Sequence, residues 1–374
     1  MVLKQPAREE SKLEELSKRL RTLAYERGPD AQLPSIRMLC DMLGTTRVTI
    51  GEVLNLLEKE HIVYRKDRQG IYVSPRIYRK SISIMFDSAN LQGDTISPFW
   101  PLLWVRLEQE AQRRALVKDE SYSFHVVNSM QNTVDTICED ITKLIQNGEA
   151  HAILAVGLNT LAKDWIDNLH VPYITFAGPG RWIVQLDGVE FGQLATTSLI
   201  QQKCKKIGLW MYNSGHSQDW ELVNEWRGFR EALTRNMIPF NPDLVRQTQQ
   251  LPHDLLAHKS LTLQEQGYLL AKEVFGTSNH ARPDGVVIGD DMMTDGALVA
   301  LEELGVRIGE ELKIVTHANV GSSVLFGRTK RMTVFEYDVQ DIVQAMFAML
   351  DILIQGQQPA QEVTWIRPRP RISK

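Results

Sequence analysis

The sequence predicts an α/β protein in two parts: a small head of three helices and a hairpin, then a larger body of parallel sheets covered by helices. Three observations carry this. Residues 13–57 place apolar residues at helical spacing, interrupted twice by turn signals. Residues 62–73 hold two β-rich runs around a charged turn containing Gly70. From residue 81 onward, short β-rich runs alternate with helical stretches, the pattern of parallel sheets with helices on both faces.

In the head, Leu13, Leu16, Leu20 and Leu23 mark one face of a first helix that stops at Gly28-Pro29. Pro34-Ser35 opens a second, short helix with Ile36, Leu39 and Leu43 facing inward and Gly44 closing it. Thr45 or Thr46 caps a third helix by offering its hydroxyl to free backbone N–H groups, and Ile50, Val53, Leu54 and Leu57 form its apolar stripe. Two short helices about a Gly-containing turn make a helix-turn-helix. The hairpin IVYRKDRQGIYVSP directly after it is a wing.

Charge divides the chain the same way. Residues 1–80 hold 16 Lys and Arg against 11 Asp and Glu, a net +5, which leaves −9 for the remainder of a chain whose total is −4. A basic head on an acidic body suits a head that meets a polyanion. Cys40, Cys138 and Cys204 lie far apart without a C-x-x-C pair, so they are expected to be reduced, with no disulfide or zinc framework. No apolar run approaches the roughly 20 residues that span a bilayer. MVLKQPAREESKLEE lacks the apolar centre of a signal peptide, so a cytoplasmic protein with no membrane partner is expected. Phosphate-loop, G-x-S-x-G and H-E-x-x-H motifs are absent, and GPGRW lacks the spacing of a dinucleotide turn. Asp290-Asp291 has no third ligand at metal spacing. The expectation is no enzyme, no cofactor and no metal.

The head resembles the winged helix-turn-helix of GntR-family transcription regulators. The matching residues are Leu33-Pro34-Ser35, Arg37, Leu39, Leu43-Gly44, Arg47, Thr49, Leu54, Leu57-Glu58, Ile62, Gly70 and Tyr72-Val73. By that resemblance Arg37, Arg47 and Gly70 approach DNA. Physically, Arg47 in the first turn of the third helix would take a guanine edge or a phosphate. Thr45, Thr46 and Thr49 are short enough to bond the phosphate backbone. Arg65, Lys66 and Arg68 flank the wing turn as phosphate partners. Many relatives carry a second Arg where this chain has Gly51. Either the helix backbone comes unusually near the groove there, or a base contact is missing.

In the body the β-rich runs are SISIMF, FHVVNS, AILAVG and PYITFAG, then KIGLWMY, DGVVIGDD and KIVTHANV. Alternation alone leaves one sheet or two open. The body resembles the effector domain of LacI-type regulators, which shares its fold with periplasmic sugar-binding proteins. Five segments carry this in order: SISIMF…SPFWPLLWVRLEQEAQRR, VQLDGVEFGQLATTSLIQQKCKKIGLW, EWRGFREAL, ARPDGVVIGDDMMTDGALVALEELGVRIGEELKIV and TVFEYDVQDIVQAMFAMLDILIQG. The resemblance implies two Rossmann-like lobes of parallel sheet, joined by three crossovers, with a small molecule between them. By position, Asp87, Ser97, Phe99, Trp100, Glu225, Asp290, Asn319 and Tyr337 would line that site. Phe99 and Trp100 serve equally well as lobe core, and Asp291 reads as the cap of a helix starting at Met292. Relatives that sense sugars often carry an Arg where this chain has Glu225 and an Asp where it has Ala318, so the effector's identity is not carried over.

The expected layout is a flexible tail over 1–10, a winged helix-turn-helix over 11–76, a linker over 77–80 and a periplasmic-binding-protein-like body over 81–374. The first lobe is expected to hold about 81–180 and 335–356, and the second about 183–320 and 360–370. The expected function is a transcription regulator, a repressor, controlled by a carbohydrate-related effector. It would act as a homodimer on a palindromic double-stranded operator. The alternative is a constitutive regulator whose body only dimerises. The helix over IVQAMFAMLDIL is either part of the dimer contact or lobe core.

Overall fold

A computed structural model describes residues 12–91, 97–127, 134–147, 149–212, 224–247, 261–276 and 281–371. The tail expected over 1–10 lies outside the described residues, as do the last two residues of the run FHVVNS.

The head folds as its local signals dictate. Helices α1 (Lys12–Arg27), α2 (Ile36–Leu43) and α3 (Arg47–Lys59) precede strands β1 (Val63–Lys66) and β2 (Gly70–Val73). Ser35 caps α2, its Oγ accepting from the Met38 N–H, and Gly44 ends that helix at a φ of 61°, in the left-handed region glycine tolerates. Of the two candidate threonines, Thr46 caps α3: its Oγ1 accepts from the Thr49 N–H at 3.3 Å. Strands β1 and β2 pair antiparallel from Val63 opposite Val73 to Lys66 opposite Gly70. Leu16, Leu20, Leu39, Ile50, Val53, Leu54, Leu57, Ile62, Val63, Ile71 and Val73 close one core. Arg21 donates to Glu60 at 2.7 Å and ties α1 to the end of α3.

Two inward assignments fail. Ile36 is 38% exposed, because it begins α2 and faces a groove toward the wing, and Leu13 lies at the exposed start of α1. The linker is also shorter than expected. Ile77 is buried in the head core, and the Tyr78 hydroxyl donates to the Tyr25 carbonyl at 3.1 Å. Arg79 donates through Nε and Nη2 to the Glu120 carbonyl at 3.0 and 2.9 Å. These residues belong to one compact unit that includes 112–123 and 142–151, while 83–111, 124–141 and 152–374 form the other.

The body contains two six-stranded sheets. The first joins β3 (Lys80–Asp87), β4 (Glu120–Val127), β5 (Ala152–Val156), β6 (Tyr173–Phe176), β7 (Ile183–Leu186) and β13 (Val363–Ile366), in the order β13-β7-β6-β5-β3-β4. The second joins β8 (Ile207–Met211), β9 (Val245–Gln247), β10 (Gly285–Ile288), β11 (Lys313–Asn319), β12 (Thr333–Tyr337) and β14 (Arg369–Pro370), in the order β14-β12-β11-β10-β8-β9. The central pairs are parallel, with Val287 opposite both Leu209 and Val315, and β14 runs antiparallel to β12. Strands β5, β6 and β10 are buried on both faces and read as apolar runs broken only at Thr175, as covered parallel strands do.

Sheet membership corrects the expected lobe boundaries. Strand β7, placed by sequence in the second lobe, belongs to the first sheet, where Ile183 lies opposite Val363. Strand β12 belongs to the second sheet and β13 to the first. The chain thus changes sheets after β7, after β12 and after β13. The helix Val339–Ile354 packs on β5, β6, β7 and β13 and buries Ile342, Val343, Met346, Phe347 and Leu350, so it is lobe core. Cys204 is buried and its thiol is pushed up to about 11 by burial, with Asp284 adding, which suits an unreactive cysteine. Cys40 is half-buried, and the Cys138 side chain lies outside the described residues.

Candidate nucleic-acid interface and ligand cleft

On the head, the N-terminus of α2, the start of α3 and the wing enclose a groove of about 600 Å³. Arg37, Arg47, Arg68 and Gly70 all line it, beside Gln32, Ser35, Ile36 and Gln69. The three arginines are exposed, and no hydrogen bond or ion pair joins any of their side chains to another described residue. Arg68 sits in the wing turn at a φ of 58°. The convergence is built locally: caps set the entry angle of both helices, and Gln32 Nε2 donates to the Gln69 carbonyl at 2.7 Å, drawing the wing beside α2. Gly70 has a φ of 117°, and a Cβ there would stand 3.0 Å from Gln32 Nε2. Gly70 therefore begins β2 and makes room for this strut, while Asp67, Arg68 and Gln69 form the wing tip.

The other candidates are occupied within the fold. Arg65 Nη2 donates to Asn55 Oδ1 at 2.6 Å and its Nη1 lies 3.3 Å from Glu58, so this arginine holds the wing to α3. Lys66 Nζ lies 4.5 Å from the Tyr72 ring centre and 5.5 Å from that of Tyr64. Thr46 is the cap, and its Oγ1 is also 3.0 Å from Thr49 Oγ1. Thr45 is half-buried in the turn. Sequence reasoning passed over Val48, which is 72% exposed in the first turn of α3. Its signal was present: an apolar residue out of phase with the stripe Ile50, Val53, Leu54, Leu57.

In the body, predicted ligand residues fall at the carboxyl ends of parallel strands, where open α/β sheets bind ligands. Asp87 ends β3, Asn319 ends β11, Tyr337 ends β12, and Asp290 follows β10. Asp290 Oδ1 accepts from the Met292 and Met293 N–H groups at 2.8 and 3.1 Å. It is therefore Asp290, with its extended backbone, that caps the helix Asp291–Glu303. Asp291 lies inside that helix and accepts from Ser322 Oγ at 2.7 Å, which corrects the expected cap by one residue. Burial, with the neighbouring Asp291 carboxylate adding, raises Asp290 above the usual carboxylate range.

Glu225 is positioned by helix packing. The helices Gly188–Gln201 and Asn224–Arg235 pack backbone to backbone, and a Cβ on Gly228 would stand 2.0 Å from the Val189 carbonyl. That approach sets the Glu225 carboxylate over Gly188, the first residue of its helix, and burial raises the Glu225 pKa. The Tyr337 hydroxyl donates to the Asp187 carbonyl at 3.0 Å, and burial raises its pKa too, with Glu225, Asp187 and Glu190 adding. Burial raises the pKa of Tyr212, just beyond β8, with Asp290 and Glu225 adding. His317 stands edge-on to Phe191 and Tyr337, and burial lowers its pKa against the pull of Asp291. Tyr212, Asp187 and His317 were not predicted; His317 was legible from its period-two spacing to Asn319.

Ala318 is buried in the second-lobe core. In the first lobe Ser97 Oγ accepts from the Phe99 N–H at 3.3 Å. Phe99 is 9% exposed and packs against Phe176 and Trp100, which makes it lobe core. Trp100 is half-buried, edge-on to Phe86.

Residues 13–73 match the family model described as bacterial regulatory proteins, gntR family. The head is a GntR-family winged helix-turn-helix. Residues 196–373 match a periplasmic binding protein-like domain. Among curated proteins, the HTH-type transcriptional repressor PurR of Pasteurella multocida is 23% identical over 78% of this chain and 84% of its own length. Among solved structures, a LacI-family regulatory protein from Chloroflexus aggregans matches 78% of this chain and 96% of its own at a TM-score of 0.62 and 16% identity. The transcription regulator CcpA of Lactococcus lactis covers 78% and 97% at 0.58 and 17%. The chain is thus a transcription regulator with a GntR-type head and a periplasmic-binding-protein-like body that shares the fold of LacI-family regulators. No helix among the described residues is long and apolar enough to cross a membrane.

Proposed function

We propose that this regulator is a cytoplasmic, homodimeric repressor whose two heads read a palindromic operator and whose body binds a small carbohydrate-related effector. The observation that carries the DNA reading is the convergence of Arg37, Arg47 and Arg68 on one groove with no internal partner among the described residues. Arginines free of internal pairs, on an element sized for the major groove, suit phosphate and guanine. Arg47 takes a base edge, Arg37 and Arg68 take phosphates, and Thr46 orders the helix start. Repression is supported by the Pasteurella multocida relative, which is a repressor by name. Two-fold symmetry is needed because one head of this size contacts too few base pairs for useful specificity.

For the body, Asp87, Ser97, Trp100, Glu225, Asp290, Asn319 and Tyr337 line the effector site, joined by Tyr212 and His317. Carboxylates, an amide and phenols suit a ligand rich in hydroxyl groups. A LacI-type neighbour from Alkaliphilus metalliredigens, solved in complex with D-xylulofuranose, supports the same class. Ligand-dependent lobe closure would reach the heads through the chain that follows Ile77 and Tyr78, which the head holds. The second reading, a body that only dimerises, is favoured by Asp290 and Tyr337 each using an oxygen inside the fold. A thermal-shift panel of sugars, sugar acids and amino sugars on the full chain separates the two. A ligand at about 100 times its dissociation constant adds roughly 2.7 kcal/mol of stability. A blank across the panel favours the second reading.

A further inference from the structure

We propose that Val48 is a specificity residue whose isopropyl group packs on the 5-methyl of a thymine, beside the base edge taken by Arg47. The inference rests on the reading of the head as a major-groove binder and names the base it selects. It follows from the faces of α3, whose solvent side also carries Glu52 one turn after Val48. Ile50, Val53, Leu54 and Leu57 face the head core. On the opposite side, Asn55 and Glu58 are held by Arg65, and the Thr49 hydroxyl is turned to Thr46. Gly51 has no side chain, and a Cβ added there would meet nothing within 4 Å. In the first turn, Arg47 and Val48 are the side chains left to the solvent face, and Val48 is 72% exposed.

That exposure has no folding rationale. A β-branched residue in a helix loses side-chain freedom, and an apolar group in water gains nothing from burial. Thymine is the base that presents a methyl group in the major groove, and a small apolar side chain is its complement. Gly51 lies three residues after Val48 and four after Arg47, on the same face. With no side chain there, the helix can lie closer to the base edges than any larger residue would allow.

The test uses the full chain. Operators are selected from random duplexes, and each thymine of a selected site is then replaced singly by deoxyuridine, which lacks only the methyl. A single replacement should weaken the wild type about fourfold, the value of one buried methyl, and a replacement in both half-sites about fifteenfold. The same replacement should leave Val48→Ala unaffected. Val48→Ala should keep the wild-type melting temperature and salt dependence, because the residue is exposed and uncharged. The proposal is overturned if no deoxyuridine weakens the wild type, or if the loss is equal in Val48→Ala. Selected sites that share no thymine would overturn it while leaving DNA reading intact. A selection that yields no consensus would overturn the DNA reading and this inference with it.

Discussion

Arg68 and Arg65 sit three residues apart in the wing, and the structure gives them different work. Arg68 lines the groove without an internal partner among the described residues, whereas Arg65 reaches Asn55 at 2.6 Å and Glu58 at 3.3 Å. Each phosphate neutralised contributes about −0.9 to the slope of log affinity against log salt, so Arg68→Ala in a dimer should flatten that slope by about 1.8. Between 50 and 200 mM salt, the affinity of Arg68→Ala should therefore fall by roughly twelvefold less than that of the wild type. Arg65→Ala should leave the slope close to the wild-type value. Its cost is to wing stability, about 0.2–1 kcal/mol for an exposed pair. Fluorescence anisotropy of a labelled operator across that salt range measures both slopes. An unchanged slope in Arg68→Ala, or an equal loss in Arg65→Ala, would refute the assignment.

Arg47→Ala should weaken specific operator binding by roughly 1–3 kcal/mol and relax sequence preference, measured by competition at fixed salt. Gly51→Ala has room for its methyl and should stabilise α3 by about 0.8–1 kcal/mol, read by hydrogen exchange across residues 47–59. Leu54→Ala removes a fully buried side chain from the head core and should cost about 2–5 kcal/mol, seen in denaturant unfolding with loss of operator binding. Asp290 has a folded pKa raised above its ordinary 3.8, so its favourable contribution is complete below that value and is lost as pH rises through the raised one. Asp290→Asn keeps a competent cap, and should flatten the fall in stability above pH 4, measured by melting temperature against pH.

The head was legible because its signals are local. Ser35, Gly44 and Thr46 each act within four residues, and the stripe of α3 needs only its own period. Where local rules failed, a partner distant in sequence or a one-residue ambiguity decided the outcome. IVQL and TVFEY look alike as β-rich runs, yet β7 pairs with β6 in the first sheet and β12 with β11 in the second, while the edge strand β13 reaches β7 across 180 residues. Asp290 and Asp291 are both plausible caps, and the extended backbone at Asp290 settles the choice. Arg65 and Arg68 are both basic wing residues; only the fold brings Asn55 and Glu58 beneath one of them. Gly70 also accommodates Gln32, a contact that only the folded wing brings to it.

A groove between α2, α3 and the wing that reads DNA sequence must tell apart two duplexes of equal charge. The direct measurement is equilibrium binding of the full chain to a selected duplex and to a scrambled duplex of equal length and composition, at one physiological salt concentration. Sequence-specific regulators prefer their site by about 10³-fold or more, and a preference of that order is expected here. Equal affinity for the two duplexes would contradict it.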